Sequence, residues 1–364
     1  MSRKNGLIVA VFVTPHGFGH ASRISAVLNA ILQNTTVTQI LLFGKTPHWF
    51  WKNNFPAKTN YVCFTETTDV GLIQKSPFEH DLKKTIAKLK SFFENEESCV
   101  NNIVDQLYQH GVNLVLSDIS TLGLKVGKKL GVPTVLVENF TWSWIYQKLT
   151  HENPYFIEVI QRLEQSYKLA DLRIQCTPFC EFSDSAIQVC PVFRPPIQTP
   201  ALTKDQLGFL PDEDFFLLTT GGIVQSFKED SLLDSRINLV IPENRPSIRR
   251  FRNLVYLPMN AKIPFPELVH AATAVIGKAG YGTIAEAWGM QKPFFGVYRK
   301  KFRESSVLRD FAEKELIHQE IEENQLNDLS WLKGMDFRKS VLPPREINGA
   351  SEIAQHILRT LAVY

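Results

Sequence analysis

Seven consecutive apolar residues, Leu7–Val13, stop abruptly at Thr14-Pro15. A strand with one face in water alternates apolar and polar residues. An unbroken run of this length suits a strand covered on both faces, as in a parallel sheet. Shorter runs of the same kind recur at residues 40–43, 113–117, 133–138, 215–219, 239–241, 254–257, 274–276 and 294–297. Helical patterns lie among them. Ile24, Val27, Leu28 and Ile31 share one helix face, as do Leu82, Ile86, Leu89, Phe92 and Phe93 in a long amphipathic stretch over 82–107. Residues 122–130 read as another helix. The last segment, 347–361, is helical too, with Ile353, Ile357, Leu358 and Leu361 as its apolar face. Alternation of this kind predicts an α/β chain with doubly wound parallel sheets.

The pattern breaks once, at residues 191–200 (PVFRPPIQTP), where prolines crowd and no periodicity survives. Read as a linker, this stretch divides the 364 residues into domains over 1–195 and 201–345, each of ordinary domain size, with a final helix over 346–364 that packs back on the first domain. Ligands of open parallel sheets bind at the carboxyl ends of the strands. The loops to inspect are therefore 14–23, 118–121, 221–224 and 277–283. Forty Lys and Arg against 37 Asp and Glu leave no basic footprint for nucleic acid. The five cysteines are scattered without paired CxxC units, as expected in a reducing, cytoplasmic setting without a bound metal. The first apolar run is too short, and lacks the small-residue cleavage site, for a secretory leader. No stretch approaches the ~18 apolar residues of a membrane span.

Residues 271–293 (AATAVIGKAGYGTIAEAWGMQKP) combine a strand, a glycine-bearing turn and a helix ended by Gly289. Glycines let the backbone approach an anion, and a helix N-terminus offers free N–H groups and a positive dipole end. Gly280, Tyr281, Gly282 and Thr283 are the expected phosphate cradle, with Gly221 and Gly222 as a second one and Lys278 as a neutralising charge. The alternatives are an ordinary βα turn and a solvated lysine. A second glycine loop, His16-Gly17-Phe18-Gly19-His20, precedes a helix expected to open near Ala21 and Ser22. His20, with an imidazole that titrates near neutrality, is the candidate general base, and His16 its alternate. Asp118 ends a strand at the same edge and is expected to orient that histidine or serve as base; its alternative is a helix N-cap. Arg23 is expected to contact acceptor or phosphate, or to brace the loop. His48-Trp49-Phe50-Trp51 reads as core packing, with docking on a membrane surface as the less favoured reading.

His16-Gly17-Phe18-Gly19-His20-Ala21-Ser22-Arg23, Asp69-Val70-Gly71-Leu72-Ile73-Gln74, residues 138–146 (ENFTWSWIY) and residues 277–287 (GKAGYGTIAEA) together resemble the GT-B glycosyltransferases. The likeness is nearest to the group carrying an HGFGHA(T/S)R loop, which includes the N-terminal half of plant arabinokinases and many bacterial proteins. It is more distant to the peptidoglycan N-acetylglucosaminyltransferase. It spans nearly the whole chain, without a kinase half, and implies two Rossmann-like domains facing across a cleft. An acceptor domain would come first and a nucleotide-sugar domain second. It implies transfer of a hexosyl or N-acetylhexosaminyl group from a nucleoside diphosphate sugar, most simply UDP-linked, to an unknown hydroxyl, with inversion and no further cofactor. By the same resemblance Glu286 would hold the ribose, Glu304 the donor sugar, and backbone near residues 256–259 the base. A UDP-sugar 2-epimerase and a non-catalytic nucleotide-sugar-binding module are the alternatives. The chain departs from the group at Ser143, where an acidic residue is expected between the two tryptophans.

Overall fold

A computed structural model describes residues 6–76, 78–221, 227–332 and 342–363. The first half runs β1 (Leu7–Val13), α1 (Phe18–Asn34), β2 (Val37–Gly44), α2 (His48–Asn54), β3 (Tyr61–Thr65), α3 (Leu82–Tyr108), β4 (Leu114–Asp118), α4 (Thr121–Leu130), β5 (Thr134–Glu138), α5 (Trp142–Gln147), α6 (Tyr155–Tyr167), β6 (Leu172–Cys176) and β7 (Ile187–Val189). The second runs α7 (Pro200–Leu207), β8 (Phe216–Thr219), α8 (Glu229–Asp234), β9 (Leu239–Glu243), β10 (Arg249–Phe251), β11 (Leu254–Pro258), α9 (Phe265–Ala271), β12 (Ala274–Lys278), α10 (Tyr281–Gly289), β13 (Phe294–Val297), α11 (Glu304–Glu315), β14 (His318–Glu320) and α12 (Gly349–Val363).

Each half builds a seven-stranded sheet, ordered β3-β2-β1-β4-β5-β6-β7 and β10-β11-β9-β8-β12-β13-β14. Among the described strands every pairing is parallel except β10 with β11. The apolar runs explain this. Residues of β1, β4, β5 and β12 are buried almost throughout, and helices cover both faces of each sheet. The strand order reverses between β1 and β4 in the first sheet and between β8 and β12 in the second. Those switch points open crevices at the carboxyl ends of the strands, where the glycine loops lie.

α1 begins at Phe18, earlier than the sequence suggested. Gly17 at φ 69° makes the turn in a conformation that disfavours other residues, so the helix starts directly after it. His20 therefore sits on the first turn of the helix rather than in the loop before it. Residues 191–200 carry no strand or helix until α7 opens at Pro200. Prolines do not leave this stretch loose, because Glu267 accepts hydrogen bonds from the backbone N–H groups of Ile197 and Gln198 at 2.7 and 3.1 Å. After the second sheet, α12 returns to pack on α1, β6 and β7. Among the described residues no helix is long and apolar enough to cross a membrane.

Gly277 lies in β12 at φ 147°, paired with Thr219 of β8, and a Cβ there would come within 1.7 Å of the Thr219 carbonyl oxygen. Gly277→Ala should therefore destabilise the second domain by about 2–4 kcal/mol, measured as a lower urea midpoint with unchanged slope.

Candidate active site

Asp118 ends β4 with no exposure to solvent, and the first turns of α1 supply its partners. Arg23, itself 1% exposed, donates from Nε to Oδ2 at 2.7 Å and from Nη2 to Oδ1 at 2.8 Å. His20 Nδ1 lies 2.8 Å from the same Oδ1. Burial opposes the charge on both Asp118 and Arg23. Their mutual attraction, with His20 contributing, nonetheless outweighs it and holds the Asp118 carboxyl below its ordinary range. An ionised carboxylate only accepts hydrogen bonds, so His20 donates from Nδ1. That assigns the free lone pair to Nε2, on a ring that lines the cleft between the two sheets.

Across the cleft stands the first turn of α10. Gly282 and Gly19 bring the two helices together. A Cβ on Gly282 would lie 3.0 Å from Gly19 Cα, tighter than an ordinary van der Waals contact. Neither α1 nor α10 has a side-chain N-cap or an acidic residue in its first turn. Two uncapped, positively polarised helix ends thus face one crevice. Lys278 and Arg299 line it as well. Lys278 is 9% exposed and its ammonium makes no hydrogen bond among the described residues. Burial, and then Arg299, lower its pKa to about 7. Burial likewise lowers Arg299 to about 10 against the pull of Glu304, whose carboxylate is 3.9 Å away. Arg299 lies over the Phe302 ring at 3.4 Å, and its buried Nε has no partner among the described residues. This region carries more positive charge than the protein neutralises, which suits an anionic ligand.

Glu304, the first residue of α11, accepts from Asn139 Nδ2 at 2.8 Å, and Asn139 Oδ1 accepts from Arg23 Nη1 at 2.6 Å. A buried hydrogen-bond chain thus runs from His20 through Asp118, Arg23 and Asn139 of the first domain to Glu304 of the second.

A second lobe of the cleft lies beside Thr283 and Glu286, closed by Leu257, Pro258 and Met259 from the end of β11. Glu286 is 2% exposed, and Arg194 binds its Oε1 from Nε and Nη2 at 2.7 and 2.6 Å. Its Oε2 makes no hydrogen bond among the described residues. Phe18, Trp49 and Phe50 form the opposite wall, with Phe18 stacked on Phe50 at 5.4 Å. Phe50 and Trp51 are core residues, while Trp49 is half-buried and faces the lobe.

The cleft collects His16, Gly17, Gly19, His20, Arg23, Gly221, Lys278, Gly280, Tyr281, Gly282, Thr283 and Glu304, and the adjoining lobe adds Glu286. Gly222 lies outside the described residues. Several alternatives from the sequence fall away. Lys278 is not a solvated lysine. Asp118 is not an N-cap, since Ser120 holds that position before α4. Arg23, at the cleft wall, is almost wholly buried and braces Asp118 and Asn139. His16 is held differently from His20: its Nε2 donates to the Val70 carbonyl at 2.8 Å and its ring packs on Trp142, while burial keeps it neutral. Ser143, on α5, bonds Thr141 at 3.0 Å and lines a separate surface hollow with Tyr167 and Arg173, so its departure from the expected acid does not touch the cleft. Two residues went unassigned in the sequence, Asn139 and Arg194. Asn139 lay within a recognised motif, whereas Arg299 belongs to a basic run over 299–304 that reads either as attracting the donor's phosphates or as a solvated loop, and it lines the cleft. Nothing local marks Arg194 in its proline-rich stretch.

A family model described as glycosyl transferase family 1 matches residues 9–329. An L-arabinokinase of Arabidopsis thaliana is 25% identical over 379 residues, covering 98% of this chain and 34% of that protein, so the chain spans about a third of its relative's length. Among solved structures, Arabidopsis thaliana UGT89C1 complexed with UDP aligns with TM-score 0.62 and 12% identity over 98% of this chain and 99% of that one. The glycosyltransferase SnogD from Streptomyces nogalater aligns with TM-score 0.59 and 13% identity over 98% and 99%. Phytolacca americana UGT2 complexed with UDP-2fluoro-glucose and pterostilbene aligns with TM-score 0.57 and 12% identity over 98% and 94%. These likenesses identify the two facing sheets as the GT-B fold.

Removing the buried carboxylate should expose its importance. Asp118→Ala leaves Arg23 charged and unpaired out of water, and should cost about 3–5 kcal/mol in urea denaturation. Asp118→Asn, which keeps an acceptor oxygen, should cost less.

Proposed function

Because the chain belongs to glycosyl transferase family 1, we propose that it transfers a hexosyl or N-acetylhexosaminyl group from a UDP-linked sugar to a hydroxyl, with inversion at the anomeric carbon. The observation that carries this reading is the His20–Asp118 pair at the edge of a cleft whose opposite side gathers uncompensated positive charge. In the proposed reaction His20 Nε2 accepts the proton of the acceptor hydroxyl as its oxygen bonds to the anomeric carbon. The bond from that carbon to the β-phosphate oxygen breaks, and UDP leaves with the electron pair. Lys278, Arg299 and the N–H groups opening α10 take up the charge that develops on the diphosphate. Asp118 holds the imidazole in the productive tautomer and stabilises the imidazolium that forms.

In this reading the first domain carries acceptor and base and the second carries the donor. Glu286 Oε2 accepts from the ribose, with Arg194 fixing the carboxylate. The backbone near Met259 meets the base, and Glu304 accepts from hydroxyls of the donor sugar. UDP in UGT89C1 and UDP-2fluoro-glucose in UGT2, proteins of the same fold, support uridine as the nucleoside.

Incubation with UDP-sugars and a panel of hydroxyl acceptors, followed by UDP release and product mass, tests the reaction. A folded protein that neither binds nor turns over any UDP-sugar would sink the reading, and interconversion of a UDP-sugar without acceptor would replace it with an isomerase. Within the reading, His20→Ala should lower kcat by about 10²–10⁴ while leaving UDP affinity unchanged. The Lys278 ammonium, whose pKa burial lowers to about 7, gives a pH signature. Anion binding favours the protonated form, so UDP affinity should weaken as pH rises through about 7 toward 9, and this dependence should disappear in Lys278→Met, as followed by calorimetry.

A further inference from the structure

The donor half of the cleft leaves the acceptor's chemistry open, but a second cavity narrows it. It lies at the carboxyl ends of β1, β2 and β3 under one face of α3, and it shares His16, Gly17, Leu72 and Gln74 with the cleft that His20 lines. The two cavities therefore adjoin, and His16 at their boundary is held by Val70 and Trp142.

The lining has two characters. Leu72, Ile73 and Phe92 make an apolar side, and Glu66, Gln74, Ser91, Asn95 and Glu96 a polar one. Glu96 is 8% exposed. Its Oε2 accepts from Lys125 at 2.6 Å, while its buried Oε1 has no partner among the described residues. The Gln74 side chain also makes no hydrogen bond among the described residues. Lys45 and Lys88 share the lining with Glu66 and Glu96, the latter paired with Lys125, while burial raises the Asp69 carboxyl to about 7, so no large excess of positive charge selects a phosphate or a carboxylate. Nor does the cavity resemble the aromatic lobe of Phe18, Trp49 and Phe50, which suits a flat ring. Acceptors and donors side by side, opposite one aromatic face, match a molecule with a hydroxyl rim and a C–H face.

We propose that this cavity is the acceptor subsite and that the acceptor is a neutral saccharide, seated with its C–H face on Phe92 and its hydroxyls toward Glu66, Gln74, Ser91 and Asn95. One hydroxyl projects past His16 to His20, gives up its proton there and bonds to the anomeric carbon as UDP departs. The inference rests on the transferase reading above, and the test separates the two.

Saturation-transfer NMR would be run on the full chain loaded with UDP, against methyl glycosides of the common hexoses, pentoses and N-acetylhexosamine, with a phenol and a flavonol as contrasts. At least one glycoside should receive saturation, and the phenolic compounds should not. Ser91→Trp and Asn95→Trp fill the cavity from exposed positions on α3. Each should weaken glycoside binding by about tenfold or more, the equivalent of roughly 1.4 kcal/mol, while UDP affinity, which also reports correct folding, is unchanged. UDP binding with no glycoside bound, preference for the phenolic compounds, or glycoside binding that survives both substitutions overturns the proposal alone. A wild-type protein that binds no UDP overturns the donor reading and this one with it.

Discussion

A carboxylate cut off from water is tolerable only where opposite charge and hydrogen bonds surround it, and at Asp118 meeting that requirement organises the molecule. Arg23 supplies the charge and His20 a further hydrogen bond, both from the first turns of α1. The strand ending in Asp118 neighbours the one leading into α1, so the pairing occurs at the switch point of the first sheet. Fixing Arg23 fixes the orientation of α1. Its glycine edge then meets α10 at Gly282, and Arg23 lies over the Tyr281 ring at 4.8 Å. One buried ion pair therefore orients an imidazole and helps seat the two halves of the chain against each other.

The cleft beside it is assembled on the opposite electrostatic principle. Lys278 and Arg299 lose hydration with Glu304 alone among the described residues to offset them, and two helix ends add positive potential. Such a site is less stable empty than filled. An anion that enters relieves the repulsion and gains preoriented partners without reorganising them. Asn139 joins this region to the first, because its amide spans Arg23 and Glu304. The two halves thus share a continuous buried network, and movement of one against the other would break it at that amide.

Much of this was legible in the residues themselves. The unbroken apolar runs announced buried parallel strands, and the glycine loops after β1 and β12 marked where a ligand approaches. His20, Asp118 and Lys278 stood out because titratable groups beside such loops are few, and Glu286 stood out through the resemblance to GT-B glycosyltransferases. Other features were hidden. The start of α1 was misplaced because Gly17 turns the chain directly into the helix, which apolar spacing does not reveal. Arg194 looked like part of a linker, yet it is 7% exposed and clamps Glu286. Ser143 looked like a loss at the site, yet its helix turns it toward a different hollow.

By itself the sequence determined the α/β class, the two-domain alternation, the loops that end the strands and the chemical types gathered in them, because periodicity, glycine and strand length are local properties of the chain. Only the tertiary structure decided which of those groups are partners. Asp118 pairs with Arg23 across 95 positions, Glu286 with Arg194 across 92, and Glu304 with Asn139 across 165. Those distances are closed by strand order and by the packing of one sheet domain on the other. The energies that make each partner matter, chiefly the cost of removing charge from water, do not exist until burial has occurred.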